Sequence, residues 1–139
     1  MKKFLLSVTF IGAMLFTFAQ NASLQGTWVL KKMNDNSGNL IDIPHIYYKV
    51  YYADGSFSNL TFQQNGLKLS HKGTFNVSKK DNSYEETIQQ SNKENISANN
   101  TTNKLKIAFA DEGKTVTIEG TIKLTGGTHQ LYEIWTKLD

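Results

Sequence analysis

The triplet Gly26-Thr27-Trp28 opens the first of eight short runs in which apolar and polar residues alternate. Alternation with a period of two is typical of a strand that buries one face. No stretch beyond the N-terminal segment carries apolar residues at the three-to-four spacing of a long amphipathic helix. The pattern therefore predicts an all-β domain, with strands at residues 26–33, 46–53, 56–63, 67–78, 84–90, 104–110, 115–124 and 130–138.

Turn-forming residues connect most of these runs. They are Asp54-Gly55, Asn65-Gly66, Lys80-Asp81-Asn82, Glu112-Gly113 and Gly126-Gly127. Such turns produce hairpins, which place consecutive strands side by side, and eight strands are enough to close a small barrel. We therefore expect an eight-stranded up-and-down antiparallel β-barrel. A β-sandwich is the alternative, and it would need a long connection that crosses between sheets.

The N-terminus resembles a secretory signal peptide. Met1-Lys2-Lys3 is a positive segment, and the apolar stretch that follows is too short for a membrane span. We predict cleavage after Ala19, which leaves residues 20–139 as a single domain. The expected location is a Gram-negative periplasm or the cell exterior.

Composition narrows the classes of partner. All 15 basic residues are lysines. Two of them lie in the predicted signal peptide, so the mature chain would have 13 lysines and 12 acidic residues, and its net charge would be +1 where that of the full sequence is +3. Nucleic-acid binding is disfavoured, because arginine is the residue that reads guanine and phosphate bidentately. There is no cysteine, and the three histidines lack metal-ligand spacing. We expect a soluble monomer without a metal or cofactor.

Alternation also predicts which side chains point into the barrel. In the run 46–53 it places Tyr48 inside, with Tyr47 and Tyr51 outside beside Lys49. In the run 130–138 the pattern leaves both faces open. The other runs predict an inward set made up of Leu67, Leu69, His71, Gly73, Phe75, Val77, Tyr84, Glu86, Ile88, Leu105, Ile107, Phe109, Val116, Ile118, Gly120, Ile122 and Leu124.

Two links are longer than hairpin turns. Residues 34–45 contain Leu40-Ile41-Asp42-Ile43-Pro44, and they are interpreted equally well as a lid over the barrel mouth or as a surface loop pinned by its isoleucines. Residues 91–103 form a polar tract with little to bury, which predicts a mobile loop.

The opening Leu24-Gln25-Gly26-Thr27-Trp28 resembles that of lipocalins and the wider calycins, in which a Gly-x-Trp closes the barrel floor. Residues 48–59, 73–75, 84–88 and 133–138 are similar to a group of small secreted lipocalin-like bacterial proteins known as a domain of unknown function. The resemblance covers essentially the whole predicted mature chain. It implies the fold and export, and it leaves the activity of the group open.

The resemblance also implies a floor made of Gly26, Trp28 and Lys137. Calycins stack a basic side chain from a late strand over the floor tryptophan, usually an arginine, whereas this chain has a lysine. If Lys137 covers Trp28, then Leu131, Glu133 and Trp135 face the cavity as well.

The function expected from these patterns is binding of a small apolar or amphipathic molecule inside the barrel, without catalytic residues. The candidate ligand-binding residues are Tyr48, Leu69, His71, Phe75, Tyr84, Glu86, Ile107, Ile118, Glu133 and Trp135. The alternative is a packed barrel that contacts a protein or glycan through an outer surface containing Tyr47 and Tyr51. A third hypothesis is glycoside cleavage by Glu86 and Glu133, and a raised pKa of one inward carboxylate would favour it.

Overall fold

The computed structural model describes residues 23–138, so the predicted signal peptide lies outside the described residues. No helix within that range is long and apolar enough to cross a membrane. A 3₁₀ turn at Asp111–Gly113 connects two of the nine strands. In chain order the strands are β1 Gly26–Asn34, β2 Leu40–Asp42, β3 Tyr47–Tyr51, β4 Ser56–Gln63, β5 Gly66–Ser78, β6 Ser83–Ser91, β7 Thr101–Ala110, β8 Thr115–Leu124 and β9 Gly127–Lys137.

The strands form a closed antiparallel barrel. From β3 to β9 each strand pairs with the next one in sequence, β1 pairs with β3, and β1 also pairs with β9, which closes the sheet. Closure satisfies the hydrogen-bonding groups that an open sheet would leave at its edges. The predicted eight-stranded up-and-down barrel is confirmed, and the β-sandwich alternative is wrong.

The additional strand, β2, comes from the link at residues 34–45. β2 pairs with the C-terminal part of β1, with Lys32 opposite Asp42 and Asn34 opposite Leu40. On the same edge, β3 pairs with the N-terminal part of β1. Leu40 and Ile41 are exposed, and Ile43 packs against the core. This arrangement matches the surface-segment alternative in part, since Ile43 alone of the two isoleucines pins the segment, and the apolar side chains of β2 do not fold over the barrel mouth.

Strand β3 departs from the prediction at Lys49 and Tyr51, whereas Tyr47 is exposed as expected. Lys49 is 4% exposed and Tyr51 is 2% exposed, so the expectation that Tyr51 lies on the outer surface is wrong. The register explains the result, because Lys49 lies opposite the buried Trp28 on β1 and opposite Asn59 on β4. Because tyrosines occupy both faces of β3, the predicted direction of the strand depended on Lys49, which was expected to be exposed.

A β-bulge in β5 reverses the predicted facing of its first residues. His71 lies opposite Asn59 and Leu69 lies opposite Leu60, so Ser70 is an extra residue in the pairing of β4 with β5. An extra residue of this kind shifts the alternation of the strand by one position. Leu67 is 54% exposed, and the expectation that it points inward is wrong.

The barrel has two unlike halves. The half near the start of β1, here called the closed half, is filled by large side chains with at most 2% exposure, including Trp28, Phe57, Val77, Tyr84 and Val116. The half near the end of β1, here called the mouth half, contains partly buried residues such as Met33 and Leu131 packed against that core. The mouth half is therefore the less tightly packed end of the barrel.

Candidate functional site

The floor of the closed half is built around Trp28. Its indole nitrogen donates a hydrogen bond of 2.7 Å to the carbonyl oxygen of Leu24. The Nζ atom of Lys137 lies 5.8 Å from the centroid of the Trp28 ring. Gly26 has φ +126°, and a Cβ there would lie 2.9 Å from Cε of Lys137. Glycine is thus favoured at this position by the backbone conformation, whereas the end of the flexible lysine side chain could move aside.

The mouth half contains a cavity with two adjoining parts. The outer chamber has a volume of about 330 Å³, and its walls include Leu30, Met33, Tyr48 and Trp135. The inner chamber has a volume of about 120 Å³, and its walls include Ile88, Leu105, Ile118 and Ile122. Four residues line both chambers, namely Asn59, His71, Ile96 and Glu133.

The link between β6 and β7 crosses the barrel mouth. Its residue Ile96 packs against the core and lines both chambers. The link is attached to β5 by a hydrogen bond of 2.7 Å from the Asn92 amide to the Ser70 carbonyl. On the opposite side the Thr125 amide donates to the Asn95 carbonyl at 3.0 Å. The polar tract, and not the apolar link at 34–45, therefore covers the cavity.

A buried ion pair lies where the cavity meets the packed core. Nζ of Lys49 is 2.8 Å from Oε2 of Glu86, and both residues are less than a tenth exposed. The Tyr84 hydroxyl donates to the same carboxylate oxygen at 2.6 Å, and the Tyr51 and Tyr84 hydroxyls are 2.9 Å apart. These short contacts replace the water that both charges lose on burial.

For each of these two groups, burial and ion pairing shift the pKa in opposite directions. Burial disfavours the ammonium of Lys49, but attraction to Glu86 outweighs it and holds the pKa of Lys49 above its usual value. Burial likewise disfavours the carboxylate of Glu86, but attraction to Lys49 and the polar contact with His71 hold the pKa of Glu86 below its usual range. Both groups are therefore charged near neutral pH.

Aromatic rings complete the surroundings of Lys49. Its Nζ lies between 5.3 and 5.9 Å from the ring centroids of Tyr51, Phe57, Tyr84 and Trp135. Rings at this distance attract a cation through their negative faces. The ammonium of Lys49 is consequently held by protein groups on several sides.

His71 connects the ion pair to the cavity wall. Its Nε2 is 3.6 Å from Oε1 of Glu86 and 2.8 Å from Nδ2 of Asn59. Its Nδ1 is 3.0 Å from the hydroxyl oxygen of Ser70, the bulge residue of β5. The bulge therefore supplies a second partner for the imidazole and fixes the ring at the boundary of the two chambers.

Glu133 is a second acid in the cavity wall. Its Oε2 accepts a hydrogen bond of 2.8 Å from the indole nitrogen of Trp135. Burial disfavours its ionised form and raises the pKa of Glu133, while attraction to Lys49 and the bond from Trp135 only partly oppose that effect. The two inward glutamates thus differ, because Lys49 pairs directly with Glu86 alone.

The structure brings together six of the ten predicted ligand-binding residues. Those that line a chamber are Tyr48, His71, Glu86, Ile118, Glu133 and Trp135. Three others, Phe75, Tyr84 and Ile107, are buried in the core and line neither chamber. Leu69 is half-buried and lies beyond the bulge, outside both chambers.

Several cavity residues were missed by the sequence interpretation. Lys49 was assigned to the outside, and Asn59, Ser70 and Ile96 were not considered. Ile96 carries the one signal that was available, since it is a lone apolar residue within a polar tract. The roles of the other three depend on register and a bulge, which alternation does not report.

Solved structures support the fold. The chain is similar to a lipocalin-like protein from Bacteroides uniformis, with 16% sequence identity, a TM-score of 0.59, and coverage of 84% of this chain and 99% of that one. It is also similar to an uncharacterized protein from Bacteroides eggerthii, with 15% identity, a TM-score of 0.55, and coverage of 81% and 98%. At these identities the likeness shows the fold alone.

A search of curated proteins finds no match. The family model described as DUF4488, a domain of unknown function, matches residues 23–139. The match spans nearly all of the barrel and confirms the predicted resemblance to a lipocalin-like family of unknown function. The chain therefore belongs to the DUF4488 family.

Proposed function

We propose that this protein is exported and binds a small apolar or amphipathic molecule in the cavity of the mouth half. The observation that carries the proposal is the outer chamber, with a volume of about 330 Å³. Small-molecule sites typically have volumes of roughly 300–1,000 Å³. The inner chamber adds about 120 Å³ beside it.

The composition of the walls supports the same function. Leu30, Met33 and Ile96 offer apolar surface in the outer chamber, and Ile118 offers it in the inner chamber. Removing an apolar ligand from water against such walls favours binding. A few polar groups at the boundary, such as His71, would fix the orientation of the ligand.

The end of the barrel opposite Trp28 is the proposed entrance. The link at residues 92–100 crosses this end and is attached to its neighbours by a few hydrogen bonds. Opening it would break fewer interactions than opening any pair of barrel strands. A ligand would therefore enter and leave past Ile96.

Hydrolysis is the second candidate function. Burial raises the pKa of Glu133 while that of Glu86 is lowered, and glycosidases use pairs of carboxyl groups with separated pKa values. Against this function, Oε2 of Glu86 already contacts both Lys49 and Tyr84 at 2.8 and 2.6 Å. We place binding first because such a carboxylate is poorly placed to contact a substrate.

Native mass spectrometry of the protein purified from the envelope fraction of its host tests the proposed function. We expect a stoichiometric non-covalent adduct, which denaturing extraction would then identify. In a Met33→Trp variant the larger side chain would occupy part of the outer chamber, and we expect the adduct to be reduced or absent. Leu67→Trp is the matched control, because Leu67 is 54% exposed and lies outside both chambers.

Two outcomes would contradict the proposed function. One is a mass without any adduct, together with no thermal shift from a panel of lipids and metabolites, which would favour contact through the outer surface. The other is an adduct that survives in Met33→Trp and is lost in Leu67→Trp. Turnover of chromogenic glycosides that disappears in Glu133→Gln would favour the hydrolytic candidate instead.

A further inference from the structure

The polar groups of the cavity wall differ in how fully they are hydrogen-bonded or paired with an opposite charge. Lys49 is the only fully buried cation in the walls of the described cavity, and it is engaged by Glu86 at 2.8 Å and by four aromatic rings. A ligand anion would have to compete with Glu86 for this ammonium. The charge of Lys49 is therefore poorly available to a ligand.

Two oxygen acceptors on the wall, by contrast, have no hydrogen-bond donor within the described residues. Oδ1 of Asn59 is buried and has no hydrogen-bond partner among the described residues. Glu133 accepts one hydrogen bond, from Trp135 to Oε2, and no bond within residues 23–138 engages its Oε1. Asn59 and Glu133 both line the outer and the inner chamber. A buried acceptor without a donor is costly, and a ligand that donates to Asn59 would relieve that cost, while Oε1 of the partly buried Glu133 offers a second acceptor beside it.

The charges around Glu133 point to a cationic donor. Glu86 neutralises Lys49, so an ionised Glu133 leaves one negative charge in the partly buried wall of the cavity. His71 is the remaining buried titratable group there, and Lys93 and Lys123 lie at the exposed rim, where solvent screens their charge. An ammonium beside Glu133 would meet a carboxylate that lacks its own cationic partner at ion-pair distance among the described residues.

We infer that the ligand of this cavity is a small single-chain amine, with its ammonium bound by Glu133 and Asn59 and its alkyl part against the apolar walls. This inference rests on the proposed function, since it assigns the head group of the same ligand. A carboxylate amphiphile such as a fatty acid would place its charge against Glu133 and Glu86. The site therefore discriminates by the sign of the head group.

Calorimetric titration with three chain-matched probes tests the inference. Octylammonium, octanol and octanoate share the alkyl chain and differ in the head group. At neutral pH we expect octylammonium to bind at least about tenfold more tightly than octanoate, since a charge-assisted hydrogen bond contributes about that factor. The affinity of octanol, a neutral hydrogen-bond donor, is expected to lie between those of octylammonium and octanoate.

A matched pair of variants identifies the group responsible. Glu133→Gln keeps the size of the side chain, and we expect it to weaken octylammonium about tenfold while octanol changes by less than about twofold. Glu119→Gln is the control, because Glu119 is exposed on β8 and lines neither chamber, and it should leave all three affinities unchanged. Circular dichroism would verify that both variants are folded.

The dependence on pH provides a second readout. Octylammonium binding should strengthen as the pH rises, because Glu133, whose pKa is raised by burial, loses its proton and the wall becomes more negative, whereas octanol binding should change little. This difference between the two probes should be much smaller in Glu133→Gln.

Three results would overturn the inference. They are tighter binding of octanoate than of octylammonium, a preference for octylammonium that survives in Glu133→Gln, and no saturable binding of octylammonium at all. In the last case, saturable binding of octanol or a native adduct would leave the proposed function standing. Failure of every probe together with the absence of a native adduct would remove both proposals.

Discussion

The two tryptophans of this chain show how differently the two halves of one barrel are built. Trp28 in the closed half is fully buried, and its indole nitrogen bonds to a backbone carbonyl. Trp135 lines the outer chamber, and its indole nitrogen bonds to the carboxylate of Glu133. The same alternating strands therefore produce a packed core at one end and, at the other, a cavity with apolar walls and a few polar groups. The size and polarity of inward side chains, and not the fold, decide which half contains a cavity.

The largest effect is expected from the floor of the closed half. Trp28→Ala removes a fully buried indole, and we expect the free energy of unfolding to fall by about 3–5 kcal/mol, the usual cost of such a deletion. Urea denaturation followed by circular dichroism would measure it. Phe62→Ala, at a site 54% exposed, should cost less than about 1 kcal/mol, and an equal loss in both variants would contradict the picture of a packed floor.

The second-largest loss in the free energy of unfolding is expected from the buried ion pair of Lys49 and Glu86, which lies between the two halves. Glu86→Gln leaves the ammonium of Lys49 buried without its partner, and we expect a loss of about 3 kcal/mol in the free energy of unfolding. Glu85→Gln is the matched control on the same strand, because Glu85 forms only an exposed contact with Lys104 at 3.8 Å. That control should change the same quantity by less than about 0.5 kcal/mol. Equal effects from the two substitutions would show that the buried pair has no special role.

The smallest effect concerns Glu133 and depends on pH. Burial raises its pKa in the folded state, so between its ordinary value and the raised one the folded protein holds a proton that the unfolded chain has released. Stability from this group is therefore present at low pH and is lost as pH rises through that window. Glu133→Gln lacks this loss, and its stability relative to the wild type should increase with pH.

Denaturation of both proteins at several pH values between about 4 and 8 measures that difference. Comparing variant with wild type cancels the contribution of Glu86, whose lowered pKa acts in the opposite direction and at lower pH. A difference that stays constant, or that favours the wild type as pH rises, would contradict the assignment of Glu133 to a desolvated cavity wall.

Much of the fold was predictable from sequence, because alternation and turn residues are local signals. All eight predicted runs correspond to strands, and the hairpin order follows from the short turns. The three-residue strand β2 was missed, since Leu40-Ile41-Asp42 is too short to display a period. The signal peptide and export stay predictions.

The candidate site was only partly predictable, because its key features depend on pairing between distant strands. The inward position of Lys49 follows from its register against Trp28 and from Glu86, a partner 37 residues away in sequence. The bulge at Ser70 has no sequence signature, and it determines that Leu67 and Leu69 lie outside the cavity. His71 and Glu133 were predictable because alternation or the family resemblance indicated their direction.

One spectrum tests the difference between the two halves most directly. A protein labelled with nitrogen-15 has two indole N–H signals, from Trp28 and Trp135, which Trp28→Phe and Trp135→Phe variants would assign. During titration with octylammonium or octanol we expect the Trp135 signal to shift with saturation while that of Trp28 stays in place. Saturable binding that shifts the Trp28 signal and leaves that of Trp135 unchanged would contradict the account.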